Sequence, residues 1–207
     1  MLYLPSDFLW ETGGSLSLRE EKIMIYPERE FTMKNGKKAI LRSPGASDAE
    51  AMLAYIRQMS AETIFVGRYP EEIRETLEYE KDFLKECQTS RNRVQISAFV
   101  DGKLAGNASV EPVSERIKMC HRADFGIAVL EEYWGLGLGN ALTFACLAMA
   151  KKMGFTQIEL NMLEKNEKGR RLYEKAGFRE WGRLKNSFRL KDGTFETGVS
   201  MVKELGN

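Results

Sequence analysis

Apolar positions fall into short alternating runs and longer runs of helical spacing, in an order that predicts a mixed α/β sheet. Residues 31–41 read FTMKNGKKAIL, two apolar flanks around Asn35-Gly36, the pair that supplies the positive φ angles of a tight hairpin. Ser47-Asp48 precedes Ala51, Leu53, Tyr55, Ile56 and Met59, the spacing of a capped amphipathic helix. A second helix is predicted from Pro70, acceptable in a first turn whose N–H groups are unpaired, to about Cys87. Ile73, Leu77, Phe83 and Leu84 form its apolar stripe. Strands are predicted over 94–100 and 103–110, joined at Asp101-Gly102, and over 123–129, apolar enough for burial on both faces. A Gly-rich turn then leads into a helix over 137–153, ended by Gly154. A short strand over 157–161, a helix over 167–176 stopped by Gly177, and strands over 182–190 and 195–202 around Asp192-Gly193 complete the pattern. Strands alternating with helices in mid-chain exclude a bundle or a sandwich.

The 207 residues suit one domain, read as residues 31–207, with residues 1–30 as an N-terminal arm or extra strand. The opening MLYLPSDFLWETGG has no sustained period, and Pro5, Asp7 and Glu11 interrupt its apolar residues. It lacks a basic leader, so no signal peptide is expected, and Leu2, Leu4, Leu9 and Trp10 could pack on the domain or on a partner chain. No window approaches the roughly 20 apolar residues of a membrane span, and a cytoplasmic protein is expected. Thirty-one basic against 30 acidic residues give no global field toward nucleic acid or a membrane surface. Three widely spaced cysteines and one histidine supply neither a disulfide framework nor metal-ligand spacing, so no metal is expected. Cys120-His121 reads as a strand-edge pair in preference to a catalytic dyad.

Chemistry concentrates where Ile127-Ala128-Val129 runs into Trp134-Gly135-Leu136-Gly137-Leu138-Gly139-Asn140. Glycines at the join of a buried strand and an apolar helix let backbone approach a ligand closely. The unpaired N–H groups of the helix start favour an anion, naturally a phosphate or pyrophosphate. Three glycines alone fit a purely structural turn equally well. A P-loop needs Gly-Lys-Ser/Thr, and Gly139 is followed by Asn140 and Ala141; a dinucleotide fingerprint needs one more residue in its last gap.

These residues resemble the GNAT superfamily of N-acetyltransferases, whose signature is Arg/Gln-x-x-Gly-x-Gly/Ala between a strand and a helix. Trp134-Gly-Leu-Gly-Leu-Gly139 matches it, with Gly137 and Gly139 in the two key places. A second stretch, Asn166-Glu-Lys-Gly-Arg-Arg-Leu-Tyr-Glu-Lys-Ala-Gly-Phe178, is similar to the family's Asn-x-x-x-x-x-Leu-Tyr-x-Lys-x-Gly-Phe. The resemblance spans about Lys37 to Leu205. It implies a single-domain fold with a twisted mixed sheet of about seven strands, helices on both faces, and a splay between strands four and five. It implies acetyl-CoA as cosubstrate, its pyrophosphate on the backbone amides of Trp134 to Asn140. Its pantetheine would pair with Ile127, Ala128 and Val129, beside a bulge placed at Gly126. A backbone amide near Ile127 would be the oxyanion donor, Asn166 would contact pantetheine or order its loop, and Tyr173 would be general acid to the thiolate. A homodimer is common in the superfamily.

Two departures bear on this. Trp134 stands where Arg or Gln is usual, and Leu136 where lysine is frequent. The indole could pack on the coenzyme or beneath the loop. Asn161 replaces a glutamate that serves some relatives as base, leaving Glu111, Asp124, Glu159 or water. The acidic stretch Glu71 to Glu86 reads as a solvated face that could also attract a cationic substrate. The expected function is acetyl transfer to a small-molecule amine. A protein amine, or a catalytically silent acetyl-CoA-binding module, are the alternatives.

Overall fold

The structure, a computed structural model, describes residues 23–206, and the predicted arm before residue 23 lies outside them. Eight strands form one sheet: β1 (Arg29–Thr32), β2 (Lys38–Arg42), β3 (Val94–Val100), β4 (Lys103–Pro112), β5 (Arg122–Val129), β6 (Gln157–Leu163), β7 (Arg179–Arg189) and β8 (Phe195–Glu204). Their spatial order is β1-β2-β3-β4-β5-β6-β8-β7. The count exceeds the expected seven because the hairpin places β1 beside β2 at the sheet edge. Helices α1 (Ala49–Glu62) and α2 (Leu77–Thr89) cover one face, where Met52, Tyr55 and Leu84 pack with Phe99 and Leu104. Helices α3 (Leu138–Lys152) and α4 (Glu167–Lys175) cover the other. Leu138, Leu142, Ala145, Cys146, Met149 and Ala150 are the buried stripe of α3, at the helical spacing visible in the sequence.

Only β5 and β6 run parallel, and they pair at three positions alone, Arg122 with Gln157, Ala123 with Ile158 and Asp124 with Glu159. Counted from β2 these are strands four and five, so the splay falls where expected. Arg122 closes the paired end with a bidentate contact to Glu159, Nε and Nη2 each 2.8 Å from a carboxylate oxygen. Beyond Asp124, β6 continues along β8 while β5 stays with β4 to Val129. The bulge expected at Gly126 is absent: Gly126 lies in regular register opposite Ser109. Ala123 and Phe125 are buried, whereas Asp124 and Gly126 are exposed, so β5 is buried on one face rather than both.

Three local expectations are corrected. Pro70–Glu72 is a single 3₁₀ turn that ends at extended Ile73. The helix begins at Leu77, because the Thr76 hydroxyl accepts a hydrogen bond from the Tyr79 amide and caps it there. Asp48 does not cap α1 through its side chain; the Arg42 guanidinium holds it at 2.7 Å on both oxygens, pinning the helix start to the end of β2. Cys120 and His121 lie in the turn before β5, not on a strand edge.

Tyr55 fixes α1 to the sheet. Its hydroxyl donates to the Ala128 carbonyl at 2.8 Å and accepts from the Asn107 amide at 3.2 Å, bridging the β4–β5 ladder. Tyr55→Phe strands both buried backbone groups and should cost about 1–3 kcal/mol. Urea denaturation checks this through a lower midpoint at unchanged slope.

Candidate active site

The splay opens a cleft of about 1060 Å³ that runs from the α3 start, past β5, to the wall formed by α1 and α2. Its backbone geometry follows from the Tyr55 bridge. Ala128 turns its carbonyl toward Asn107 of β4, and strand alternation therefore turns the N–H and C=O of Ile127 and Val129 toward the open side. The Val129 carbonyl is taken by the Trp134 indole N–H at 2.7 Å. The β5–β6 pairing stops at Asp124, so the backbone groups of Ile127 meet no partner among the described residues at the gap.

Past β5 the chain makes a 3₁₀ turn, Glu131–Tyr133, and enters the glycine loop. Gly135 (φ 78°) and Gly137 (φ 95°) are both left-handed, a conformation that costs a side-chain-bearing residue about 1–2 kcal/mol. The Leu136 carbonyl turns outward, where the Lys34 amide of the hairpin donates to it at 3.0 Å. Six consecutive amides, Gly135 to Asn140, donate to no described residue, whereas the Trp134 amide, expected to join them, is spent on the Glu131 carbonyl at 3.0 Å as it closes the 3₁₀ turn. They form a concave array of N–H donors at the positive end of α3.

Helix α4 brings the second half of the site. The Asn166 side chain accepts from the Gly169 amide at 2.8 Å and caps α4; a Cβ on Gly169 would sit 2.7 Å from the Asn166 carboxamide. The far end is a Schellman motif: left-handed Gly177 donates to the Glu174 carbonyl, and Phe178 to the Tyr173 carbonyl. Phe178 then packs edge-on against Tyr173 at 6.0 Å, and Phe125 does so at 6.3 Å. Tyr173 is held by these rings with its hydroxyl bonded to no described residue, and burial pushes its pKa up to about 12.

The acetyltransferase (GNAT) family matches residues 54–178. The chain belongs to this GNAT family. It is an acetyl-CoA-dependent N-acetyltransferase. An L-amino acid N-acetyltransferase of Escherichia coli is 28% identical over 110 residues, 53% of this chain and 67% of that protein. A GNAT acetyltransferase from Streptococcus pneumoniae superposes with a TM-score of 0.77 at 27% identity, covering 80% of this chain and 99% of the other. A phosphinothricin acetyltransferase from Sinorhizobium meliloti, solved in complex with acetyl-CoA, shares the fold at 19% identity and a TM-score of 0.70, over 85% and 90% of the two chains.

In this GNAT chain Ile127, Ala128, Val129, Trp134, Gly135, Gly137, Gly139, Asn140, Asn166 and Tyr173 all line the cleft; Leu136 and Leu138 point into the core. Trp134 lines the cleft, and the Lys168 ammonium sits 4.5 Å from its ring centroid. None of the three expected bases lines the cleft. Glu159 is paired with Arg122 and Glu111 with Arg93 at 3.3 Å. Partial desolvation beside the sheet, and then the charges of Glu111 and Glu159, raise the Asp124 pKa, but its carboxylate also lies outside the cleft. Asn161 does line it, with its Oδ1 held by the Ser200 hydroxyl. The carboxylates that line the cleft are Glu75 and Glu80, which periodicity could not separate from the other glutamates of 71–86.

Gly137→Ala tests the loop. A Cβ there would meet the Phe31 ring at 3.3 Å on a left-handed backbone, so a stability loss of about 1–2 kcal/mol is expected by denaturant titration.

Proposed function

We propose that the protein acetylates a small-molecule primary amine by direct attack on the thioester, with a backbone oxyanion donor and Tyr173 as proton donor. The run of six unpaired amides from Gly135 to Asn140 carries this reading, because a glycine-backed array at a helix start is complementary to a pyrophosphate. The buried Asn140 Oδ1, which bonds to no described partner, lies in the same wall. Lys34, Lys168, Arg171 and Lys175 surround this end of the cleft and supply the positive charge that Leu136 lacks.

Acetyl-CoA, when bound, supplies an activated acetyl thioester. The amides of Gly135 to Asn140 hold its pyrophosphate, and the outward N–H of Ile127 offers one strand-like hydrogen bond to the pantetheine side or to the thioester oxygen. There it stabilises negative charge as the amine attacks. Trp134 has already capped the next outward carbonyl, so strand-like pairing is confined to Ile127 and the Val129 amide. Tyr173, protonated throughout the physiological range, donates to the departing sulfur. A small acceptor fits the cleft between sheet, α1 and α2, and the E. coli relative that acts on L-amino acids supports that acceptor size.

A thermal-shift titration tests the cosubstrate. Acetyl-CoA at a hundred times its Kd should add about 2.7 kcal/mol of stability, and ATP none. Tyr173→Phe should keep that shift while lowering kcat roughly 10²-fold against the best amine of a panel. Equal kcat in the two proteins would remove Tyr173 from the mechanism.

A further inference from the structure

On the α1–α2 side of the splay the cleft changes character. Met52, Ile56, Met59, Phe65 and Phe83 make an apolar wall, and three charged groups, Arg68, Glu75 and Glu80, are set into it. Glu75 gives one carboxylate oxygen to the Arg68 guanidinium; its other oxygen, Oε2, is buried with no hydrogen-bond partner. Glu80 is 4% exposed and its carboxylate makes no hydrogen bond or ion pair with a described residue, yet it lines the cleft. Gln95 on β3 adds a third buried acceptor without a donor, its Oε1. Acceptors left this way in one wall are complementary to a ligand that brings N–H donors. Two carboxylates against one guanidinium leave a net charge of −1, which a single ammonium balances.

Position relative to the sheet agrees. Ala128 packs with the α1 cluster, whereas Phe125 and Tyr173 belong to the core on the α3–α4 face. An amine seated at Glu75 and Glu80 therefore approaches the Ile127 gap from the face opposite Tyr173. Nucleophile and leaving group lie on opposite sides of the reacting carbon.

Resting on the proposed acetyl transfer, we infer that Glu75 and Glu80 form the ammonium site for a primary amine with an apolar body, and that Glu80 takes the proton which frees that amine. The ammonium gives one proton to the Glu80 carboxylate, and the nitrogen lone pair forms the N–C bond as the C–S bond breaks. The nitrogen's second proton leaves to water as the amide forms, and the sulfur takes a proton from Tyr173, which water restores; Glu80 returns its proton to solvent. Ionisable groups facing Glu80 are Glu75 and Arg68 from the preceding loop and Cys87 two turns along α2. Burial first, and the Glu75 charge second, hold the Glu80 carboxyl above the usual carboxylate range, against the pull of Arg68. A base acts deprotonated, so kcat/KM rises with pH through this displaced pKa.

The experiment compares wild type, Glu80→Gln and Glu80→Asp against L-leucine, L-methionine, phenethylamine, glycine and spermidine, with acetyl-CoA affinity measured by calorimetry. Expected in wild type is at least a tenfold preference in kcat/KM for the apolar amines over glycine and spermidine. Glu80→Gln should lower kcat/KM for the best amine by about 10²- to 10³-fold and flatten its acid limb. Acetyl-CoA affinity should stay within twofold and the melting temperature should not fall, and Glu80→Asp should recover part of the loss. Glu80→Gln turnover within threefold of wild type overturns the inference, as does preference for spermidine or glycine, which is read on wild type and needs no folded variant. Acetyl-CoA binding without turnover of any amine overturns the ammonium site alone; no acetyl-CoA binding overturns the proposed function together with it.

Discussion

Every part of the site depends on a pairing that stops. Strands β5 and β6 share three register positions and then part. Had they continued, the outward backbone of Ile127 would be spent on a sheet ladder and the cleft would be filled. The separation persists because each strand has a better partner. β6 runs along β8 to Leu163, β5 along β4 to Val129, and the Arg122–Glu159 contact holds the closed end. Phe125, Tyr173 and Phe178 pack together on the α3–α4 face beside the opening, so the core itself supports the edge of the cleft. An open sheet edge normally invites association with another strand. Here it is short and covered on both faces by helices, which leaves room for an extended chain of small-molecule width.

Much of this was legible in the sequence because it depends on backbone conformation that only certain residues allow. Gly137 announces a left-handed helix start, Gly177 a Schellman end, and Asn166 with Gly169 a cap whose geometry a side chain would block. The Tyr-x-x-x-Gly-Phe spacing is a packing rule as much as a catalytic one: the Gly177 turn returns Phe178 onto the Tyr173 ring. Boundaries failed where competing local bonds decided them. Pro70 has the marks of a helix start, but the Thr76 cap lies six residues later, and Asp48 is held by Arg42 and does not cap α1 with its side chain. The chemistry of the acceptor wall was not legible at all. Six glutamates crowd residues 71–86, and which two face inward depends on how α2 packs on α1 and the sheet.

Trp134 shows how one departure from a family pattern reorganises its surroundings. In place of a flexible side chain with its own hydrogen bonds to offer, the indole spends its single N–H on the Val129 carbonyl. That bond braces the glycine loop against β5. It also removes one acceptor from the open edge. The ring then seats Lys168, placing a cation near the loop from α4 rather than from the loop itself. With Lys34 arriving from the hairpin, whose amide holds the Leu136 carbonyl, positive charge is drawn from two elements distant in sequence. The strand β1 thereby gains a role beyond edge pairing, because it carries the turn that orients the loop.

The two faces of the sheet divide the electrostatics in the same way. Around α3 and α4 the cleft offers donors, the unpaired amides and the cations, and so suits an anion. On the α1–α2 side it offers acceptors, the unpartnered oxygens of Glu75 and of Gln95 on β3 together with the Glu80 carboxylate, and so suits an ammonium. Under the proposed function, two ligands of opposite charge would be sorted to opposite faces before meeting at Ile127. Exchange of their sites would place charge against like charge in a partly dehydrated cleft, which is strongly unfavourable. The sheet needs no moving part for this discrimination. It follows from which helix lies on which side of a strand that has lost its neighbour.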